Sequence, residues 1–257
     1  KLSGMTNTTT VTIDGGTQAT YNHVDYDQDG DPIVVFKEGY GANWRLVESL
    51  RTVDLDVLLD SQRQASHNFN TTVVNYMLNG DANINFGGYT GEGLFTHRNT
   101  AKVNLGASGF NVDLTTATPV QLSDFFGKFK DVLNDNHVMR LDVLWVSPEI
   151  MTNLTQSMAI VGGGDYGGNL GETVLDYLKA QIPSLDVRET FGLKGNQFFG
   201  YVRSGIRIRV GMPTTITALP RPTPNSNHNF ELLAVQGVNV MSDALGHKEA
   251  FFGGEFS

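Results

Sequence analysis

Apolar residues recur in steps of three and four through the longest stretch that lacks Gly and Pro, residues 43–79. The series runs Leu46, Leu50, Val53, Val57 and continues at Ala65, Phe69, Val73 and Tyr76. This is the period of one helix face. Asn43 is placed to cap the start and Gly80 to stop the end. A continuous helix over this span is roughly 55 Å long at ~1.5 Å per residue, several times the mean helix of globular proteins. The polar run Asp60 to Gln64 is the place where it could break.

Ahead of that stripe the pattern differs. Residues 1–20 are polar, rich in Thr and Gly, and show no helical period, which predicts an extended arm. Residues 21–42 read as a β-hairpin. Val24 and Tyr26 alternate with polar neighbours, Asp27-Gln28-Asp29-Gly30-Asp31-Pro32 supplies turn chemistry, and Ile33-Val34-Val35-Phe36 follows as the second strand.

Behind the stripe, residues 80–114 are rich in Gly and Asn with one strand expected at 101–105. Thr118-Pro119 opens a helix whose face is Leu122, Phe125, Phe126, Phe129, Val132 and Leu133. A strand over 139–146 leads through Ser147-Pro148 into a short helix ending near Leu154. Glycines cluster at 162–168, and a further helix is expected from about Gly171 to Ile182, stopped by Pro183. The last third reads as strands. Ile206, Ile208 and Val210 alternate with Arg207 and Arg209, which predicts one buried and one wet face. These elements together make an α+β chain.

Composition narrows the class. The chain has 257 residues, enough for one or two domains with a real core. Its 29 glycines favour turns and long loops over a helical bundle. There is no cysteine, so disulfides and thiolate metal sites are excluded. No apolar run approaches the ~20 residues of a membrane-spanning helix, and no signal peptide is visible. Lys1 stands where an initiator Met is expected, so an upstream segment, removed by maturation or otherwise missing, is anticipated. Asn7, Asn70 and Asn153 begin Asn-x-Ser/Thr triplets, read as chance. The net charge of −9 disfavours direct nucleic-acid recognition, which relies on Lys and Arg neutralising phosphates. It does not disfavour enclosing nucleic acid behind a weakly repulsive wall.

The chemistry-bearing motifs are thin. Asp25, Asp27 and Asp29 followed by Gly30 have the spacing of the first half of a calcium loop. Phe36 stands where that loop needs a bidentate Glu, Pro32 stands at the apolar position, and the flanks read as strands, so the preferred reading is an acidic solvated tip. Gly162-x-Gly164-x-x-Gly167 fits a dinucleotide fingerprint but lacks the strand before it and the helix directly after it. No phosphate loop or nucleophile elbow occurs. The six histidines show no metal-ligand spacing. Glu172 and Asp176 share a helix face without further support, and Arg203, Arg207 and Arg209 read at most as salt-bridge partners between subunits. No catalytic residue and no cofactor emerges, which points away from an enzyme.

The order of elements carries a resemblance. Tyr76-Met77-Leu78-Asn79-Gly80-Asp81 closes the long helix and is followed by Gly91-Glu92-Gly93-Leu94-Phe95. Leu141 to Pro148 is a strand-then-helix, and Ile208-Arg209-Val210-Gly211-Met212-Pro213 is a late return. In this order they resemble the Hong Kong ninety-seven capsid fold of tailed-bacteriophage major capsid proteins, shared with encapsulin compartments. The resemblance implies an N-terminal arm at 1–20 and an extended β-hairpin loop at 21–42. It implies a peripheral domain with a spine helix at 43–114, an axial domain at 115–204, and return strands of the peripheral domain at 205–257.

The implied function is structural. Copies of the chain would assemble as pentamers and hexamers of an icosahedral shell around double-stranded DNA, without sequence-specific recognition and without a membrane. The shell would belong to the virion and be assembled in the host cytoplasm, with decoration or portal proteins as further partners. Tyr26, Ile33, Val35, Phe36 and Lys37 are the expected contact residues between subunits, because an isolated two-stranded hairpin is marginal in water. Some family members cross-link a hairpin Lys to a neighbour's Asn; Lys37 has no evident Asn partner, so that chemistry is not carried over. Alternatives are an encapsulin-like nanocompartment shell, a calcium-dependent binding module built on Asp25, Asp27 and Asp29, and a hydrolase with dispersed carboxylates.

Overall fold

The computed structural model describes residues 2–4, 25–27, 30–51, 56–156, 173–182, 185–220, 223, 226–243 and 245–256. In chain order, strands β1 (Leu2–Gly4), β2 (Asp25–Asp27) and β3 (Val34–Ala42) precede helices α1 (Trp44–Arg51) and α2 (Val57–Asn79). Strands β4 (Gly80–Phe86), β5 (Tyr89–Glu92) and β6 (Thr100–Asn104) lead to α3 (Pro119–Asp135). Then come β7 (Val143–Val146), α4 (Pro148–Leu154), α5 (Val174–Gln181), β8 (Asp186–Glu189) and β9 (Phe198–Tyr201). Strands β10 (Ile206–Ala218), β11 (His228–Val240) and β12 (Ala250–Gly254) close the chain. The mixture is α+β, as the pattern predicts. It divides into two units: Asp31–His97 with Arg207–Asn239, and Arg98–Ile206 with Val240–Ser257 and Lys1–Gly30.

The first unit is built on a three-stranded sheet in the order β10-β11-β3. β3 runs antiparallel to β11, with Phe36 opposite Ala234 and Ala42 opposite His228. The hairpin expected within 21–42 is therefore not what forms. Asp25–Asp27 pairs with Leu2–Gly4 instead, and the strand at 34–42 finds its partner almost two hundred residues later. The turn chemistry at 27–32 carries no information on which strand pairs with 34–42.

α2 lies along β3. Phe36 meets Phe69 and Tyr76 edge to face, with ring centroids 6.5 and 5.4 Å away. The expected single helix over 43–79 is two helices. Asp56 has a non-helical backbone, and its carboxylate accepts from the amides of Leu58 and Leu59, which starts α2 afresh. The break falls there and not at Asp60 to Gln64.

At its other end α2 runs directly into a hairpin, β4–β5, where the Gly- and Asn-rich sequence predicts no strand. Gly80 takes a positive φ of 69° at the junction. Leu94 and Phe95 donate backbone hydrogen bonds to Met77 and Leu78 of the helix end, both at 2.8 Å. A side chain on Gly93 would come within 2.3 Å of the Gly80 nitrogen, so the close approach requires glycine there.

The second unit holds a five-stranded sheet in the order β6-β12-β9-β7-β8, with parallel pairs at β6/β12 and β7/β8 and antiparallel pairs between. The Thr118-Pro119 signal behaves as predicted: Thr118 and Gln121 form a capping box with Pro119 in the first turn. Ser147 likewise caps α4, ahead of Pro148. The face of α3 expected to be apolar is buried, and Phe125 and Phe129 pack against Phe198. The strand expected at 139–146 shortens to Val143–Val146, and α5 begins after Thr173, whose hydroxyl caps Asp176.

Candidate functional site

Strand β10 departs from the expected in-and-out alternation. It has 13 residues, more than twice the usual strand, and stands at the edge of its sheet. Ile208, Val210, Met212 and Ile216 share one side by the two-residue period and are all exposed, Ile208 to 60%. Both faces of β10 stay largely exposed among the described residues, because burial needs a layer packed over a face, so the alternation of Ile and Arg produces none here. Long, apolar, uncovered edges are sites of self-association.

The residues expected to contact a neighbour separate into kinds. Ile33 and Val35 are half exposed. Lys37 is exposed and makes a 3.6 Å ion pair with Glu231 across the β3–β11 pair. Phe36 is buried against Phe69 and Tyr76 and so is spent within its own unit, because side chains alternate faces along a strand. Tyr26 sits in β2, opposite Ser3.

Hairpin β4–β5 adds residues that the sequence reading missed. Phe86 and Tyr89 face each other across Gly87 and Gly88, whose φ angles are 61° and 89°. Two consecutive positive-φ residues are the mark of a tight hairpin turn, and a Gly-Gly pair between two aromatics was the legible signal. Phe86 is 78% exposed. In the other unit, Met139, Phe191 and Leu245 are also strongly exposed.

The acidic run is divided by the fold. Asp25 and Asp27 belong to β2, and Asp29 lies outside the described residues. Asp31, further along the same run, enters a cluster with Glu92 and His97, whose ligand atoms lie within 4.8 Å of one another. His97 is almost fully buried, with Nε2 3.2 Å from Asp31 Oδ1 and Nδ1 4.0 Å from Glu92 Oε2. Asp31 also accepts from the Asn239 amide. The two ring nitrogens thus face different carboxylates, one within hydrogen-bond distance at Asp31 and one beyond it at Glu92, and no single nitrogen is aimed at both acids. Its evident effect is to tie the start of β3 to the end of β5 and to β11.

The remaining candidates stay apart. The Gly162–Gly167 fingerprint and Glu172 lie outside the described residues, and Asp176 is used as the α5 cap. His137 and His247 meet with ring centroids 3.9 Å apart and planes tilted by 37°, with Asp243 hydrogen-bonded to His247. Burial pushes the Asp243 carboxyl up, but the side-chain and backbone hydrogen bonds from His247 outweigh it and hold the group below its ordinary range. The Tyr76 hydroxyl is pushed up by burial and then by the Asp81 charge. No described helix is long and apolar enough to cross a membrane.

The chain matches the family of unknown function DUF6260 over residues 1–253, and it belongs to that family. No curated protein matches it in sequence. Among solved structures, the capsid of Myoviridae phage XM1 is similar with a TM-score of 0.67 at 12% identity, over 99% of this chain and 82% of that one. A chain of Mycobacterium phage Che8 gives 0.59 at 13% identity, over 98% and 82%. The virus-like particle from Pyrococcus furiosus gives 0.58 at 10% identity, over 99% and 87%. The fold is that of the Hong Kong ninety-seven type of capsid proteins.

Proposed function

We propose that this chain is a major capsid protein: a structural subunit whose copies build an icosahedral shell, made of pentamers and hexamers, around the double-stranded DNA of a tailed bacteriophage. The observation that carries the reading is the likeness of almost the whole chain to phage capsid chains. The long apolar edge of β10 supports it, since that surface has no cover in the described residues of the chain. The unit containing α2 takes the peripheral role and the unit containing α3 the axial role. The β1–β2 pair and the half-exposed Ile33 and Val35 reach towards neighbours. A subunit of net charge −9 encloses DNA without adhering to it. The role is architectural and needs no catalytic centre; the shell is a virion component, assembled in the host cytoplasm, and portal or decoration proteins complete it.

A nanocompartment shell holding protein cargo is the second reading, favoured by the likeness to the Pyrococcus furiosus particle, at a lower TM-score than the XM1 capsid. Negative-stain microscopy of the purified protein tests the shell: closed particles tens of nanometres across are expected, and a monodisperse monomer of 28.0 kDa under all assembly conditions refutes it. Nuclease-protected DNA inside particles recovered from infected cells supports the phage reading; protein cargo in its place supports the other.

A further inference from the structure

We infer that the outer edge of β10 receives strand β2 of a second copy of this chain, with Asp25-Tyr26-Asp27 lying beside Arg207-Ile208-Arg209. The inference rests on the shell reading and names one of the contacts by which the shell is made.

Both strands have an open edge among the described residues. β10 is the outer strand of the order β10-β11-β3, and β2 pairs with β1 alone. A strand edge presents backbone N–H and C=O groups that an added strand can take up. β2 has three residues in a sheet of two strands, so it is marginal by itself and gains from a third.

The residue pattern decides which strand fits. Arg207 and Arg209 are both exposed, and neither has a carboxylate partner among the described residues. They stand two residues apart and so share one face of β10, while Ile208, 60% exposed, takes the other. Charges on an edge strand turn away most strands, and an acidic strand is the exception. By the same two-residue period, Asp25 and Asp27 fall on one face of β2 and Tyr26 on the other. The run 25–31 has Asp at four of its seven positions, the densest negative charge in the sequence, so it has the most to gain from two arginines.

Laid along Arg207-Ile208-Arg209, the triplet sets an acid opposite each arginine and an aromatic residue opposite a β-branched one. Both are favourable cross-strand pairs. Acid–apolar–acid and base–apolar–base read alike from either end, so the match holds for a parallel or an antiparallel approach. The giving and receiving strands are different parts of the chain, so each copy supplies one and accepts one. Such a contact is head to tail, and it propagates until a ring closes.

The chain has no cysteine, so a disulfide can be placed without competition. Tyr26→Cys and Ile208→Cys are made in separate copies, one of them isotope-labelled, then mixed, assembled and oxidised. Directly opposed residues of neighbouring strands lie about 4.5–5.5 Å apart at Cα, within the ~4.4–6.8 Å that a disulfide spans. A bond between positions 26 and 208 that joins a labelled to an unlabelled copy is expected. Assembled particles without that bond overturn the proposal. Separately, Arg207→Glu with Arg209→Glu is expected to raise the protein concentration needed for assembly about tenfold or more, with the unfolding temperature unchanged. Adding Asp25→Lys with Asp27→Lys is expected to restore assembly. A fourfold variant that assembles no better than the arginine variant overturns the pairing. So does an arginine variant that assembles like the parent and only retains less DNA, which would make phosphates the partner. If the parent chain itself never assembles, the shell reading fails first and this contact with it.

Discussion

The ring of Phe36 on β3 meets the ring of Tyr76 on α2 edge to face, with centroids 5.4 Å apart and planes at 73°. The same phenylalanine touches Phe69, one heptad earlier on that helix. Positions seven apart lie two turns along one helix face, so a single strand side chain grips α2 at two levels. This fixes the helix against the sheet.

Truncating Phe36 to Ala is expected to cost about 3–5 kcal/mol, the range for a buried phenylalanine. Val35→Ala, one residue away on the exposed face, is expected to stay within about 0.5 kcal/mol. Urea unfolding of the two variants checks the difference. Equal midpoints would show that the Phe36 contacts do not hold the unit together.

Asn153 behaves in the same way for a polar reason. It is almost fully buried, and its amide donates to the carbonyls of Leu114 and Ala117 at 2.9 and 2.8 Å. The triplet Asn153-Leu154-Thr155 has the form of a glycosylation acceptor and reads as chance, which fits an amide engaged twice in the interior, out of an enzyme's reach. Asn153→Leu leaves two buried carbonyls without this donor and is expected to cost about 2–6 kcal/mol, at about 1–3 kcal/mol for each orphaned group. A urea midpoint equal to that of the parent would contradict this.

How far these features were legible depends on how local their cause is. The caps at Thr118 and Ser147 are settled by residues within one turn, and the sequence pattern located both. Asp56 carries an equally local signal, but it lies inside an apolar stripe without Gly or Pro, a pattern that also fits a single long helix. The pairing of Val34–Ala42 with His228–Val240 has no local signature, because its register is set by Phe36 and Ala234 packing in one layer. The burial state of Ile208 and Val210 was equally hidden. A two-residue period says that a strand has two faces, but whether either face is covered depends on what lies beside it.

The turn at Asp113 provides a pH-dependent test. Its carboxylate accepts from the Thr115 hydroxyl at 2.7 Å and amide at 3.0 Å, and from the Thr116 hydroxyl at 2.9 Å. The Thr115 hydroxyl bond leads in holding the carboxyl below its ordinary value, against a smaller push from burial, with the Thr115 amide and Thr116 adding to it. A pKa lowered by folding contributes stability that is present above the unfolded value, about 3.9 for Asp, and is lost as pH falls through the folded value. Asp113→Asn should therefore lower the unfolding temperature at about pH 6, and that difference should shrink as the pH falls below the unfolded value of about 3.9. A difference that persists unchanged in acid would mean that the charge of Asp113 is not what the turn uses.

The exposed row on β10 separates assembly from folding. Ile208 and Val210 are 60% and 56% exposed, so replacing both by Thr, which keeps the β-branch, removes little buried area. The double variant is expected to unfold within about 0.5 kcal/mol of the parent. If the row is covered by a neighbouring subunit, the same change removes apolar contact at an interface repeated throughout the shell, and many weakened contacts act together. Particle formation, followed by light scattering and confirmed by negative stain, is then expected to need a higher protein concentration. Arg207→Gln and Arg209→Gln, on the alternate side of the strand, provide the contrast and should change mainly the salt dependence of assembly. Should the Thr variant assemble at the parent's concentration, β10 would have to lie open to solvent in the finished particle, and the interface would have to be sought elsewhere on the subunit.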